Sequence, residues 1–163
     1  MKIKPGESLK RVIERCRRHM TIAVAESCTG GLVSNLITDV SGSSGYFIGG
    51  VVAYSNDVKK DMLGVKAATL KRHGAVSVET AAEMARGVRK RFRSRIGVST
   101  TGIAGPTGGS AQKPVGTVCI AVCARGKTAA RQFLFKGSRS AVKKQSALAA
   151  LKMLEEVLDR RAV

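Results

Sequence analysis

The chain has 163 residues, 44% of them hydrophobic, and 29 Lys and Arg against 11 Asp and Glu give a formal net charge of +18. That length makes one ordinary domain, able to bury roughly two thirds of the surface its unfolded form exposes, so no disulfide or metal staple is needed. The apolar residues come in pieces, without the run of about 18 that a membrane span requires.

The N-terminal stretch "MKIKPGESLKRVIERCRRHM" is basic but has neither the apolar run nor the small-residue cleavage site of a secretory signal, which gives a cytoplasmic reading. Within it, Leu9, Val12, Ile13 and Cys16 recur at helical spacing over residues 7–19. "TIAVA", residues 21–25, reads as a short buried strand; "ESCTGG" turns the chain into a helix carrying Leu32, Val33, Leu36, Ile37 and Val40. A second strand is expected from Phe47 to Tyr54. Ser55 or Asn56 then caps a short helix, "DVKKDML", that stops at Gly64. Ser77 caps another helix, with Ala81, Met84, Ala85 and Val88 on one face. A strand, a long Gly-rich loop and two late strands at 115–123 and 128–135 follow, the last pair close enough for a hairpin. A helix over 138–160, with Leu148, Leu151, Leu154 and Leu158 inward, closes the chain. The alternation predicts an α/β fold with a mixed sheet and no linker or repeat, one domain over residues 1–163.

Cys16, Cys28, Cys119 and Cys123 lack CxxC spacing and only His19 and His73 could join them, so a zinc site is poorly supported. Cys119 and Cys123 fall on one face of a strand as small buried thiols, and His73, just before Gly74, suits a helix C-terminus. The positive charge favours anions, whether nucleic acid or phosphorylated metabolites. The basic residues are nevertheless dispersed over several elements, and four Phe, two Tyr and no Trp offer little to stack on bases. No sequence-specific nucleic-acid partner is expected.

Two Gly-rich turns, "AESCTGG" and "TTGIAGPTGG", follow apolar strands. Neither has dinucleotide GxGxxG or P-loop spacing. Such turns can offer main-chain N–H groups to an anion at a strand's carboxyl end, and they equally suit plain tight turns. In "GSSGYFIGGVVAYSNDVKK", Ser44 has no histidine to activate it; a neutral lysine is the available base. Lys59 falls in the first turn of a short helix, where the dipole and the neighbouring Lys60 both disfavour an ammonium, and the Tyr54 phenol could relay a proton. The same residues suit a turn serine, an edge tyrosine and a solvated lysine, and spacing does not separate the readings.

"AESCTGG", "GSSGYF", "YSNDVKKDMLGV", "HGAVS", "TGIAGPTGGSAQKPVGTV" and "GSR", in this order over nearly the whole chain, resemble the CinA C-terminal domain family, in a stand-alone form and with more positive charge than expected. The resemblance implies a three-layer α/β/α sandwich. It also implies hydrolysis of nicotinamide mononucleotide to nicotinate mononucleotide and ammonia, without metal or cofactor. It assigns catalysis to Ser44, Tyr54 and Lys59, sets Ser43, Ser27 and Cys28 aside as nucleophiles, and points to substrate contacts at Thr101, Gly102, Gly105, Arg139, Ser27, Thr29 and Gly30. Arg139 would be a natural partner for phosphate. The alternatives are a basic nucleic-acid-associated domain tied to competence or DNA damage, and a catalytically silent nucleotide-binding domain. No membrane partner is expected, and the sequence is compatible with a homo-oligomer.

Overall fold

Strand β1, Ile22–Glu26, is buried along its whole length and sits second in a five-stranded sheet of order β2-β1-β3-β4-β5. The computed structural model describes residues 20–159; the helix expected over 7–19, with Cys16 and His19, lies outside them. Strands β2 (Phe47–Val52) and β3 (Ile96–Gly102) flank β1 in parallel, while β4 (Thr117–Ala124) and β5 (Lys127–Leu134) continue the sheet antiparallel. The sheet is therefore mixed, and the late strands form the expected hairpin. Its two-residue turn, Arg125-Gly126, has φ of 49° and 78°, the doubly positive conformation whose twist matches that of paired strands.

Helices α1 (Leu32–Thr38) and α5 (Arg139–Asp159) cover one face, and α2 (Asn56–Leu63), α3 (Ala67–His73) and α4 (Val78–Arg91) cover the other. Strand alternation divides the core by size. Ile22, Val24, Ile96, Val98, Ile120 and Val122 meet Val33, Ile37, Leu151 and Leu154 on the first face. The second face presents Ala23, Ala25, Cys119, Ala121 and Cys123, so α4 lies close, inserting Ala81, Met84, Ala85 and Val88. The two cysteines are the buried same-face thiols expected.

The caps are local and fall where their residue types place them. Ser55 and Ser77 accept the amides of Val58 and Thr80 at 3.2 and 3.1 Å, and Gly64 ends α2 at φ 67°. Strand β2 stops at Val52, two residues short of expectation, because the Ala53 and Tyr54 carbonyls turn away to the buried Lys59 amine.

Close approach of α4 sets a strict size limit at two glycines. A methyl group at Gly97 would stand 2.0 Å from the Ala85 carbonyl, and one at Gly87 1.8 Å from that of Leu63. Gly97→Ala is expected to lower stability by about 1–3 kcal/mol or more, since backbone must move to admit the carbon. Gly45→Ala, with open space around it, should change stability by less than about 0.5 kcal/mol. Urea midpoints of the two variants test this; equal midpoints would contradict the packing.

Candidate active site

Glu26 ends β1 as a buried carboxylate and gathers five donors from the segment that follows: the Thr29 hydroxyl at 2.6 Å, the amides of Gly31, Val33 and Ser34 at 3.0, 3.0 and 2.8 Å, and the Ser34 hydroxyl at 2.8 Å. Helix α1 has Gly31 as N-cap and no side-chain cap of its own. The strand therefore supplies the acceptor that a capping residue ordinarily would, with negative charge at the positive end of the helix. Thr29 also bonds Thr100 on β3 at 2.6 Å. This turn fixes Ser27 at the carboxyl edge of the parallel strands, its amide donating to the Thr100 carbonyl at 2.9 Å. Ligands bind open α/β sheets at such an edge, where the connections leave to opposite faces.

Lys59 reaches the same place from α2 and is 1% exposed. Its Nζ lies 3.1 Å from Ser27 Oγ, 2.9 Å from the Ala53 carbonyl and 3.3 Å from the Tyr54 carbonyl. Carbonyls only accept, so two amine protons are committed to them. The amine donates to Ser27 Oγ as its third contact; in the neutral form, with two protons held by the carbonyls, the lone pair is what remains for that hydroxyl. Burial pushes the Lys59 amine below the ordinary lysine range. The expected lowering is found, but its leading cause is burial and not the like charge of Lys60, which pairs with Asp57 at 2.7 Å.

Cys28 lies beside this pair, but burial pushes its thiol up to about 12, so it stays protonated and unreactive at neutral pH. A cleft of about 270 Å³ opens over Ser27 and Lys59, bordered by Tyr54, Asn56, Thr101, Gly102, Gly105, Thr107 and Arg139. Arg139 bridges its rim, donating to the Gly105 carbonyl at 2.8 Å and to the Tyr54 hydroxyl at 2.9 Å. The Thr101 hydroxyl donates to the Ala75 carbonyl at 2.8 Å and retains its capacity to accept. Among the described residues, no group of three His, Cys, Asp or Glu side chains could hold a metal ion, and no helix is long and apolar enough to cross a membrane.

The structure thus brings together Lys59, Tyr54, Ser27, Thr101, Gly102, Gly105 and Arg139. It separates Ser44, which is exposed on a 3₁₀ turn, Ser43–Gly45, before β2, whereas Tyr54 and Lys59 follow that strand's other end. Six extended residues span about 20 Å, too far for proton transfer within one chain. Thr29 is buried and bonded to Glu26 and Thr100, and together with Gly30 it lines a neighbouring groove, not the cleft. Asn56, Thr107 and the role of Glu26 were missed; a carboxylate directly before a turn that opens a helix is a legible anion-at-helix-start signal.

Fold and cleft together define a class: a three-layer α/β domain that holds a buried lysine against a serine where its parallel strands end. The family model of the CinA C-terminal domain matches residues 7–158, and the chain belongs to that family. It is 48% identical over 157 residues, 95% of its length, to a CinA-like protein of Thermotoga maritima, and 51% identical over 158 residues to one of Geotalea daltonii. A Moorella thermoacetica relative, named for competence-damage induction, is 53% identical over 84% of the chain. The chain spans only 33% to 36% of the length of the Moorella relative and two others like it, and 38% of the Thermotoga and Geotalea proteins. Among solved structures, a CinA superfamily protein from Enterobacter cloacae superposes with a TM-score of 0.92 at 32% identity, covering 97% of this chain and 94% of that one. The competence/damage inducible protein CihA of Agrobacterium tumefaciens gives 0.89 at 39%, covering 98% and 99%.

The buried thiol yields a direct test. In the native protein at neutral pH, Cys28 should resist iodoacetamide, and it should react readily after denaturation in guanidinium; peptide mapping reads both states. Rapid labelling of the native residue would contradict the high thiol pKa.

Proposed function

We propose that this chain is an amidohydrolase that converts nicotinamide mononucleotide to nicotinate mononucleotide and ammonia, with Ser27 as nucleophile and Lys59 as its base. The observation that carries the reading is the 3.1 Å approach of Lys59 Nζ to Ser27 Oγ, with the amine's remaining contacts both made to carbonyls. Family resemblance supports the substrate. The nucleophile is reassigned from Ser44 on geometry.

The reaction follows from those contacts. Neutral Lys59 takes the Ser27 proton as Oγ attacks the carboxamide carbon, whose π electrons move onto oxygen. The Cys28 amide, next in the chain, donates to no other residue's backbone among those described and would turn from its own thiol to meet that oxyanion. Collapse expels ammonia, which carries away the proton held by Lys59. Water, deprotonated by the same amine, then attacks the acyl-serine ester and releases the nicotinate product and the Ser27 hydroxyl. The cationic pyridinium ring withdraws electrons from the amide and makes the first attack easier. Arg139, which lines the cleft, would bind the phosphate in this reading. Tyr54, bonded to Arg139 through its hydroxyl, holds that guanidinium against the cleft.

Ammonia release from nicotinamide mononucleotide tests the assignment. Ser27→Ala and Lys59→Arg are expected to lower kcat/KM by roughly 10³-fold or more, because a hydroxyl without its base is a poor nucleophile and a guanidinium cannot give up its proton. Ser44→Ala should leave turnover at the wild-type level. Loss on Ser44→Ala with retention on Ser27→Ala would return the nucleophile to the 3₁₀ turn.

The base must be neutral to act, so activity should rise with pH through the Lys59 titration. Burial lowers that value, and the rising limb of kcat/KM should have its midpoint below 10.5, the ordinary lysine value. A limb centred at or above it would exclude Lys59. Arg139→Ala should raise KM for the phosphorylated substrate much more than for the riboside, which lacks the anion.

A further inference from the structure

A second and larger cavity, about 890 Å³, runs between α1 and α5 beside the cleft. The α1 wall presents Leu32 and Leu36; the α5 wall carries Arg139, Lys143 and Lys144 and continues to Leu148. Nothing in the proposed deamidation uses this space. Arg139 alone borders both cavities.

The three cations are poorly placed for stability. Arg139 opens α5, where the helix dipole disfavours positive charge, and the first turn contains no acidic residue. Lys143 stands one turn further along the same face, a like charge at i,i+4, and Lys144 lines the same groove. None of the three makes an ion pair among the described residues. No Asp or Glu lines the groove, and Glu26, beneath the Gly30–Gly31 turn, is buried and occupied by five donors. Lys143 lies over that turn, its Nζ 3.5 Å from where a Gly30 side chain would begin.

We propose that this groove binds a nucleoside diphosphate. The diphosphate would be held by Arg139, Lys143 and Lys144, and the nucleoside by the leucine wall. Three cations match the charge of a diphosphate, and an anion here relieves the repulsion within α5. An inorganic anion would leave most of the volume and all of the apolar wall unused. A site of this size, mostly apolar with a few convergent polar groups, is typical for a nucleotide-sized ligand. The inference concerns binding and does not depend on the deamidase reading.

Thermal melting and calorimetry of the full chain with ADP test it. At a hundredfold excess over Kd, ADP should raise the melting temperature by roughly 5 °C or more, and the effect should weaken with added salt. Lys143→Gln/Lys144→Gln should abolish that shift while melting no lower than wild type without ligand, since removing like charges from one helix face does not destabilise it. Adenosine should give no shift, and pyrophosphate should bind at least tenfold more weakly than ADP. A shift that survives the double substitution would place ADP elsewhere and overturn the proposal. So would no shift at all, or pyrophosphate binding as tight as ADP, which would remove the nucleoside from the site.

Discussion

The Glu26 carboxylate is the interaction on which the rest of this molecule depends. It ends the most enclosed parallel strand and satisfies amides at the start of a helix that has no capping side chain of its own. Hydrogen bonds to a charged group contribute about 1.5–3 kcal/mol each, and donors left without a buried acceptor carry their full desolvation cost. The turn from Ser27 to Gly31 therefore has one well-defined arrangement. Two unrelated requirements are met at once: Ser27 is presented at the sheet edge, and the Gly30–Gly31 turn is held flat against Lys143.

Lys59 is the complementary constraint, arriving from the opposite helical layer. A buried ammonium is expensive, and three acceptors only partly offset its lost hydration, so the neutral form gains ground. The two carbonyls that orient the amine belong to Ala53 and Tyr54, the residues where β2 leaves the sheet. Strand termination and orientation of the base are one event. The small residues on that face of the sheet, Ala23, Ala25 and Ala53, let the α2–α4 layer come close enough for a lysine stem to span the gap. Core composition thereby reaches the chemistry.

Much of this was legible in the sequence because it is local. Ser55, Ser77 and Gly64 act through hydrogen bonds or backbone conformations confined to one turn, and the β4–β5 hairpin needs only two strands and a two-residue gap. Tyr54, Lys59, Thr101 and Arg139 were traceable through the order of their motifs. Ser44 was misplaced for a reason that the predicted strand already contained: an extended segment separates its ends, so a residue before β2 and one after it cannot share a site within one chain. Ser27 and Tyr54, by contrast, both follow parallel strands and must emerge at the same edge. The role of Glu26 was harder to read, since three of its five partners are main-chain amides, which carry no side-chain signature.

The distribution of charge completes the physical picture. Many cations sit where the fold gains from them: Lys71 and Arg72 end α3, and Arg89, Lys90 and Arg91 end α4, each at a negative helix terminus. The α4 group stands at the start of β3, whereas the cleft lies at that strand's far end, seven residues or about 23 Å away. At physiological ionic strength fields decay over roughly 8 Å, so those charges contribute little at the cleft. Arg139, Lys143 and Lys144, by contrast, line the groove beside the cleft, with Arg139 at the dipole-disfavoured start of α5. These two groups of cations differ in kind: one supports helix ends, and the other carries a cost to α5 that a bound anion offsets.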